Sequence, residues 1–302
     1  MASSQILQLA LIQWRESFFL HIQAKLASAI LHLIERQRNG ETVDQGLFKK
    51  VVDSFVSLGI DESDLNKTSL DNYRERFETP FLAATEAFYK HASWGFHTET
   101  SVSGYLKKTE ERLKEEEDRA ERYLHPSTRR PLITIVVRTH ANLLAEDFQS
   151  LLVYDKDENL QRMYSLLSRS PEGLEPLQKK FEEHAKRTGL EDVYTLVGPD
   201  PTAIEALEPK VYVDTLLEVH AKLSETINRS FKDDAGFVAS LDRACREFVN
   251  RNAATGTSPT KSPELLAKHA DALLRKSNKM SEEGELEDAL SRVVRRFHSG
   301  HS

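Results

Sequence analysis

The stretch Phe231-Lys-Asp-Asp-Ala-Gly-Phe-Val-Ala-Ser-Leu-Asp-Arg-Ala-Cys-Arg-Glu-Phe-Val-Asn250 carries an unbroken helical stripe of apolar residues. This spacing predicts a helix that is packed along one face. The stripe consists of Phe237, Val238, Leu241, Ala244, Cys245, Phe248 and Val249. Asp233 and Asp234 precede it, where one carboxylate can cap the helix and the other can face its positive end. Gly236 costs up to about 1 kcal/mol relative to alanine in the first turn, so we expect another backbone to approach closely there.

The composition predicts a soluble, globular protein. The 302 residues are 39% apolar and 29% charged, and 41 basic against 48 acidic residues give a net charge of −7. The charges are interspersed, whereas a nucleic-acid-binding chain should show a basic domain or stripe. No run approaches the ~20 apolar residues of a membrane helix, and the first residues do not form a secretory signal. The single cysteine fits a reducing compartment, so we expect the protein in the cytoplasm and nucleus.

Helical spacing runs through nearly the whole chain and predicts an all-α fold. Leu132–Val137 has strand-like composition, but it continues without a turn signal into apolar residues at helical spacing, so we predict a buried helix. Two separate helices are predicted around Ser69–Phe77 and from Thr79-Pro80 onward, the second with a threonine cap and a proline at its first position. A final helix is predicted from about Ser281 to Phe297. No alternation of strands and helices is present.

A charge-dense helix is predicted from Ser101 to Leu124. Its narrow apolar stripe consists of Leu106, Leu113, Ala120 and Leu124. Opposite charges follow one another at i,i+4, as in Glu115 and Arg119, and each such pair stabilises a helix by a few tenths of a kcal/mol. The stripe could be one face of a coiled coil, but its repeat is short for that structure. We therefore predict that the charged residues form a solvated face.

An internal repeat relates the two halves of the chain. Three pairs of blocks match in order. Leu33-Ile-Glu-Arg36 with Gly40 matches Leu166-Leu-Ser-Arg169 with Gly173, and Lys49-Lys50 with Gly59 matches Lys179-Lys180 with Gly189. Asp118-Arg-Ala120 matches Asp242-Arg-Ala244. Such an ordered set predicts two copies of a helical unit, which should superpose over about 14–125 and 155–252.

Several of these stretches resemble the cullin family. The resemblance is carried by Phe231–Asn250 with Asn252, by Ser262-Pro-Glu-Leu-Leu-Ala-Lys268, and by Leu31–Thr42 and Asn159–Arg169. It extends over nearly the whole chain and is closest to the cullins of SCF-type ubiquitin ligases. The motif residues to which we assign a structural role are Asp234, Gly236, Phe237, Leu241, Cys245, Ser262, Pro263, Glu264, Leu265 and Leu266.

The resemblance implies a fold and a function. The fold would be an elongated, solenoid-like stalk of stacked five-helix cullin repeats. The function would be that of a non-catalytic scaffold of a cullin–RING ubiquitin ligase in ubiquitin-dependent protein catabolism, holding substrate and ubiquitin-loaded enzyme at a fixed separation. The implied partners are an F-box adaptor, a RING subunit and a cullin-exchange factor, with no cofactor, nucleic acid or membrane.

The chain resembles only part of a cullin. The pattern implies the end of the first repeat and the second repeat in 1–154, the third repeat in 155–252, a linker in 253–261, and the truncated start of the next helical domain in 262–302. From the resemblance, we expect the adaptor-binding helices of the first repeat and the region with the modifier-acceptor lysine to have no counterpart in this sequence. We therefore assign no adaptor-binding, RING-binding or modification residue.

Three patterns allow a catalytic or metal-binding interpretation. Cys245 could act as a nucleophile with a histidine, but its place in the apolar stripe favours inert packing. His298 and His301 could hold a metal, but two ligands in a Ser/Gly-containing tail are too few. Asp233 and Asp234 could act as paired carboxylates, although a helix start explains both.

Other signals of chemistry are weak or absent. Arg129-Arg130 and Arg292 with Arg295-Arg296 are more typical of solvated faces than of phosphate contacts. No glycine-rich phosphate loop, metalloprotease motif or hydrolase motif occurs in the sequence. Two alternatives to the scaffold stay open: a helical-repeat tethering or adaptor protein outside the ubiquitin pathway, and an enzyme whose activity depends on Cys245.

Overall fold

Ten helices of eleven residues or more form the described part of the chain. A computed structural model describes residues 9–59, 69–99, 101–199, 204–256, 258 and 260–277, with the backbone alone for 93–99, 276 and 277. The helices are α1 (Leu20–Arg38), α2 (Gln45–Ser57), α3 (Thr79–Glu99), α4 (Val102–Tyr123), α5 (Arg129–Val153), α6 (Asp157–Leu167), α7 (Glu175–Val197), α8 (Pro209–Phe231), α9 (Ala235–Asn250) and α10 (Lys261–Ser277). These ranges contain no strand, which confirms the all-α prediction. The helix predicted near Ser281–Phe297 lies outside them.

Two helices are preceded by π-helical turns. Arg15–Phe19 leads into α1, and the short helix Asp71–Tyr73 continues through Arg74–Glu78 into α3. The prediction of a fresh helix start at Thr79-Pro80 is therefore wrong, since Thr79 has helical backbone angles. A π-helical turn shifts the backbone hydrogen bonding just ahead of Pro80, which has no N–H to donate, so the helix can continue through the proline.

Contacts divide the described residues into two compact units. The first unit lies within Met1–Leu144 and Ser165–Gly173, and the second within Ala145–Tyr164 and Leu174–Ser302. The division into cullin repeats and a linker was drawn from the family pattern, and it stays a prediction.

Aromatic side chains form much of the core of the first unit. The rings of Phe19 and Phe55 lie 5.1 Å apart, those of Phe55 and Phe77 5.6 Å, and those of Phe77 and Phe81 5.9 Å. All four are buried, and they join the turn before α1 to α2 and α3. Within α5, Leu132–Val137 is helical, with Leu132, Val136 and Val137 buried and residues 133–135 half-buried, which confirms the helix prediction for this strand-like window.

The N-terminal helix is more apolar than we expected. Among the described residues, Leu9–Arg38 is long and apolar enough to cross a membrane by length and composition alone, and 28% of its most apolar window is buried. The core helix of a soluble protein can meet the same criteria. Phe19, Ile30 and Ile34 of this helix are buried in the first unit.

Candidate functional site

The turn between α8 and α9 consists of residues 232–234, near the start of the motif Phe231–Asn250. Lys232 and Asp233 both adopt left-handed backbone conformations, with φ of 53° and 55°, and the chain reverses there. Asp234 then caps α9, because its Oδ1 accepts the N–H groups of Gly236 at 2.9 Å and Phe237 at 3.3 Å. The Asp233 carboxylate accepts a hydrogen bond from an asparagine amide of α8 at 2.7 Å. The predicted cap is thus confirmed for Asp234, whereas Asp233 bonds to α8 instead of facing the start of α9.

Five aromatic rings pack around this turn. Phe231 and Phe237 stack with their centroids 4.1 Å apart and their planes 14° apart. Phe181 of α7 meets both rings edge-on, at 5.9 and 5.6 Å, and Phe148 and Tyr164 complete the cluster. The four phenylalanines are fully buried. Aromatic pairs of this kind contribute about 0.5–1.5 kcal/mol beyond their buried area, so the cluster fixes how α8 and α9 meet α7.

Gly236 allows a close approach, but by a side chain. A Cβ built there would lie 2.1 Å from Nε2 of Gln178, whose amide also donates to Asp234 at 3.3 Å. The expected neighbouring backbone is therefore the wrong partner. The glycine leaves room for the amide that supports the capping carboxylate.

At Gly189, the backbone of α7 lies close against a side chain of α9. A Cβ at Gly189 would lie 2.5 Å from the ring of Phe248, which is itself fully buried. Leu241 and Cys245 lie on the same buried face of α9, each 2% exposed. Burial of Cys245 among apolar residues agrees with packing rather than with a reactive thiol. The sequence singled out Gly189 only as a repeat marker, and its role in packing was missed.

Asn252 organises the end of α9 through a network of buried hydrogen bonds. Its Nδ2 donates to the Tyr212 hydroxyl at 2.9 Å and to the Phe248 carbonyl at 2.7 Å. Its Oδ1 accepts the N–H groups of Ala254 at 2.9 Å and Thr255 at 3.2 Å. This Asn252 network therefore ties α8, α9 and the following connection together. The sequence marked Asn252 as a family match but gave no hint of Tyr212.

The motif at the start of α10 extends this network. Ser262 is fully buried, and its hydroxyl accepts a hydrogen bond from Tyr212 at 3.0 Å. The helix begins at Lys261, so Ser262 lies in its first turn. Leu265 is buried and Leu266 half-buried, whereas Pro263 and Glu264 are exposed. The hydrogen bond from Lys268 holds the pKa of Glu264 below its usual value.

A second cluster lies in the first unit, where we predicted solvated charges. Arg38 donates to both carboxylate oxygens of Glu116, at 2.8 and 3.1 Å, and Arg119 lies 2.5 Å from the same carboxylate. All three side chains are at most 5% exposed. The solvated-face prediction for α4 is therefore wrong at these positions, and Arg119 pairs with Glu116 rather than with Glu115. Leu106, Leu113, Ala120 and Leu124 are buried as predicted.

Hydrogen bonds and rings surround this buried charge cluster. Tyr89 donates to Glu116 at 2.8 Å, and Gln37 accepts from Arg119 at 3.0 Å and from Tyr123 at 2.9 Å. Burial alone would raise the pKa of Glu116, but the charges of Arg38 and Arg119 outweigh it and hold that pKa below its usual value. Burial raises the pKa of Tyr123 to about 12. The carboxylate therefore stays ionised in the fold.

The described residues contain no group of three His, Cys, Asp or Glu side chains that could hold a metal ion. His298 and His301, and Arg292 with its neighbours, lie outside these residues. Arg129 is exposed, 3.6 Å from Glu117, as expected for a solvated face. In the second unit, an open groove of about 1020 Å³ is lined by α7, the end of α9 and the connection that follows, including Leu190, Tyr194 and Arg251.

Comparisons with known proteins agree with the pattern of the motifs. A family model described as the cullin alpha solenoid domain matches residues 2–299. The chain is 42% identical to Cullin-1 of Dictyostelium discoideum over 296 residues, 39% identical to Cullin-1 of Schizosaccharomyces pombe over 293, and 38% identical to Cullin-1 of Caenorhabditis elegans over 303. These alignments cover 95–96% of this chain but 38% of each relative. The chain thus spans well under half the length of these relatives.

Proposed function

The chain belongs to the cullin family, and from that premise we propose that it acts as a non-catalytic scaffold segment of a cullin–RING ubiquitin ligase of the SCF type. The observation that carries the proposal is the match of the cullin solenoid domain to residues 2–299. The process that it would serve is ubiquitin-dependent protein catabolism, in the cytoplasm and nucleus.

The packing of the second unit supports a scaffold role. A scaffold acts by holding bound proteins at a fixed separation, which raises their effective concentration. The aromatic cluster at the α8–α9 turn and the Asn252 network involve six helices, α5 to α10, through largely buried contacts. Buried, fully hydrogen-bonded networks of this type favour one arrangement of the helices over others.

The proposed partners are proteins of the ubiquitin pathway. They are an F-box adaptor, a RING subunit and a cullin-exchange factor, carried over from the family resemblance. No described residue is assigned to any of the three contacts.

Affinity capture from a cell extract tests the proposal. With the folded chain as bait, we expect mass spectrometry to recover at least one ubiquitin-ligase subunit. The matched control is the double variant Phe231→Ala and Phe237→Ala, which removes the stacked rings and should lose that protein. Recovery of vesicle-tethering subunits without any ubiquitin-ligase component would favour the tethering alternative and contradict the proposal.

A further inference from the structure

Two Ser-Pro pairs lie close together, one in the connection before α10 and one in its first turn, and their serines have opposite environments. Ser258-Pro259 and Ser262-Pro263 lie four positions apart. Ser262 is fully buried and bonded to Tyr212. Ser258 is exposed, and its hydroxyl lies 3.1 Å from that of Thr260, which is also exposed. In the folded chain, an enzyme from solution could therefore reach Ser258 but not Ser262.

The chain is held firmly on both sides of Ser258. Ala254 and Thr255 are buried in the Asn252 network on one side, and Ser262 is buried on the other. Ser258 and Thr260 are exposed between these fixed points. Their hydroxyls are therefore open to an enzyme from solution while the buried contacts stay in place.

The residues after Ser258 match the preference of one class of enzyme. Pro259 follows directly and Lys261 stands at the third position, which gives the pattern Ser-Pro-x-Lys. Proline has no N–H and a fixed φ, so an enzyme can select for it at this position. We propose that Ser258 is the phosphorylation site of a proline-directed protein kinase that uses ATP.

The proposed reaction transfers one phosphoryl group. Oγ of Ser258 forms a bond to the γ-phosphorus of ATP while the bond from that phosphorus to the β–γ bridging oxygen breaks. ADP leaves, and the hydroxyl proton passes to the catalytic base of the kinase.

The surroundings of Ser258 can receive the added charge. Ser258 lines the groove of about 1020 Å³ together with Arg251 and Asn250, and Glu191 is the acidic residue in that lining. A phosphoserine carries about −1.5 to −2 charges at pH 7, which an arginine can pair with. The first turn of α10 begins three residues later, and the positive end of a helix also favours a nearby negative charge. The phosphate would thus add charge next to the Asn252 network.

Phosphorylation of the folded, full-length chain tests the proposal. The chain is incubated with a purified proline-directed kinase and ATP, and the modified residue is mapped by mass spectrometry. We expect one phosphate on Ser258, its loss in Ser258→Ala, and at least a tenfold slower reaction in Pro259→Ala. Thr260→Ala, which removes the neighbouring exposed hydroxyl, should be modified at the rate of the unchanged chain.

A peptide of residues 253–265 shows whether the kinase accepts the sequence motif when the fold does not limit access to it. Modification of the peptide without modification of the folded chain would overturn the proposal, because the segment would then be closed to enzymes. Failure of both substrates would overturn it as well, since the motif would not be accepted. Phosphate on Ser262, or phosphate that persists in Ser258→Ala, would have the same consequence.

Discussion

Glu116 and Arg38 form a buried ion pair that joins α4 to the end of α1. The attraction between two such charges offsets the large cost of removing them from water only when their remaining hydrogen bonds are satisfied. Here Tyr89 donates to Glu116, and Thr85 lies 2.7 Å from the Arg38 guanidinium. The cluster therefore tolerates little change, because removal of one partner leaves the other charged and buried.

The variant Glu116→Gln tests the importance of this carboxylate. Loss of its charge leaves Arg38 and Arg119 uncompensated, so we expect the free energy of unfolding of the first unit to fall by about 3–5 kcal/mol. Urea unfolding followed by circular dichroism measures the change. The adjacent Glu115 is about half exposed and paired with Arg112, so Glu115→Gln should cost less than about 1 kcal/mol. Equal losses in the two variants would show that Glu116 is not buried as described.

His140 gives the fold a dependence on pH. Its ring contacts the Tyr105 hydroxyl at 2.6 Å, and burial lowers its pKa from 6.5 to about 4. The unfolded chain therefore binds a proton that the folded chain does not bind between these two values. Burial also lowers the pKa of His184 to about 4. For both residues, stability should be complete above pH 6.5 and should fall as the pH drops toward 4.

The pH profile of unfolding between pH 7 and 5 measures this contribution. His140 alone should lower the free energy of unfolding by about 1.4 kcal/mol for each pH unit below 6.5. His140→Gln should remove about 1.4 kcal/mol per pH unit from the measured slope and leave the contribution of His184 in place. An unchanged slope in His140→Gln would mean that His140 does not titrate in this way.

The contact between α7 and α9 depends on two glycines with different neighbours. Gly189 faces the buried ring of Phe248, while Gly236 faces the amide end of the half-buried Gln178. A buried ring has little room to move, whereas the end of a glutamine side chain can rotate away. We therefore expect Gly189→Ala to lower the free energy of unfolding by about 1–2 kcal/mol net. Gly236→Ala should stay within about 1 kcal/mol of the unchanged chain, because alanine also favours the helix.

Thermal unfolding of the two glycine variants compares these contacts. The melting temperature should fall clearly for Gly189→Ala and change little for Gly236→Ala. The reverse order would show that the close contact of α9 lies at its first turn instead.

The Asn252 network controls the attachment of α10 to α8. In Asn252→Ala, the Tyr212 hydroxyl and the N–H groups of the connection lose buried partners, each at a cost of about 1–3 kcal/mol. Hydrogen exchange in α10 should therefore become at least tenfold faster. Asn250→Ala is the matched control, because Asn250 is exposed and bonds the Arg246 carbonyl within its own helix. Unchanged exchange in Asn252→Ala would mean that α10 is held by other contacts.

Some of these elements could be predicted from the sequence, and others could not. Helical spacing and the Asp234 cap are local signals, so α9 was predicted correctly, as was the helical state of Leu132–Val137. The ion pair of Arg38 and Glu116 joins residues 78 positions apart. Because the sequence neighbours of Glu116 are charged, we predicted that it lies on a solvated face. The continuous helix through Pro80 depends on a π-helical turn that has no signature in the sequence.

At the scale of the whole molecule, the two copies of the repeat differ in chemistry. Arg119 pairs with the buried Glu116 three residues before it. The matching Arg243 instead donates to Ser240, three residues before it, and to the partly exposed Glu182. The Asp-Arg-Ala tripeptide thus lies on a helix in both places, but its arginine has different partners in each. The superposition of the two halves stays a prediction.

Binding of the purified chain to purified ubiquitin-ligase proteins tests the scaffold role most directly. Isothermal titration calorimetry would use an F-box adaptor, a RING subunit and a cullin-exchange factor in turn. Our account predicts a 1:1 complex with at least one of them, with a Kd on the order of 1 µM or tighter. No heat of binding with any of the three, from a chain that retains its helical circular dichroism, would contradict it.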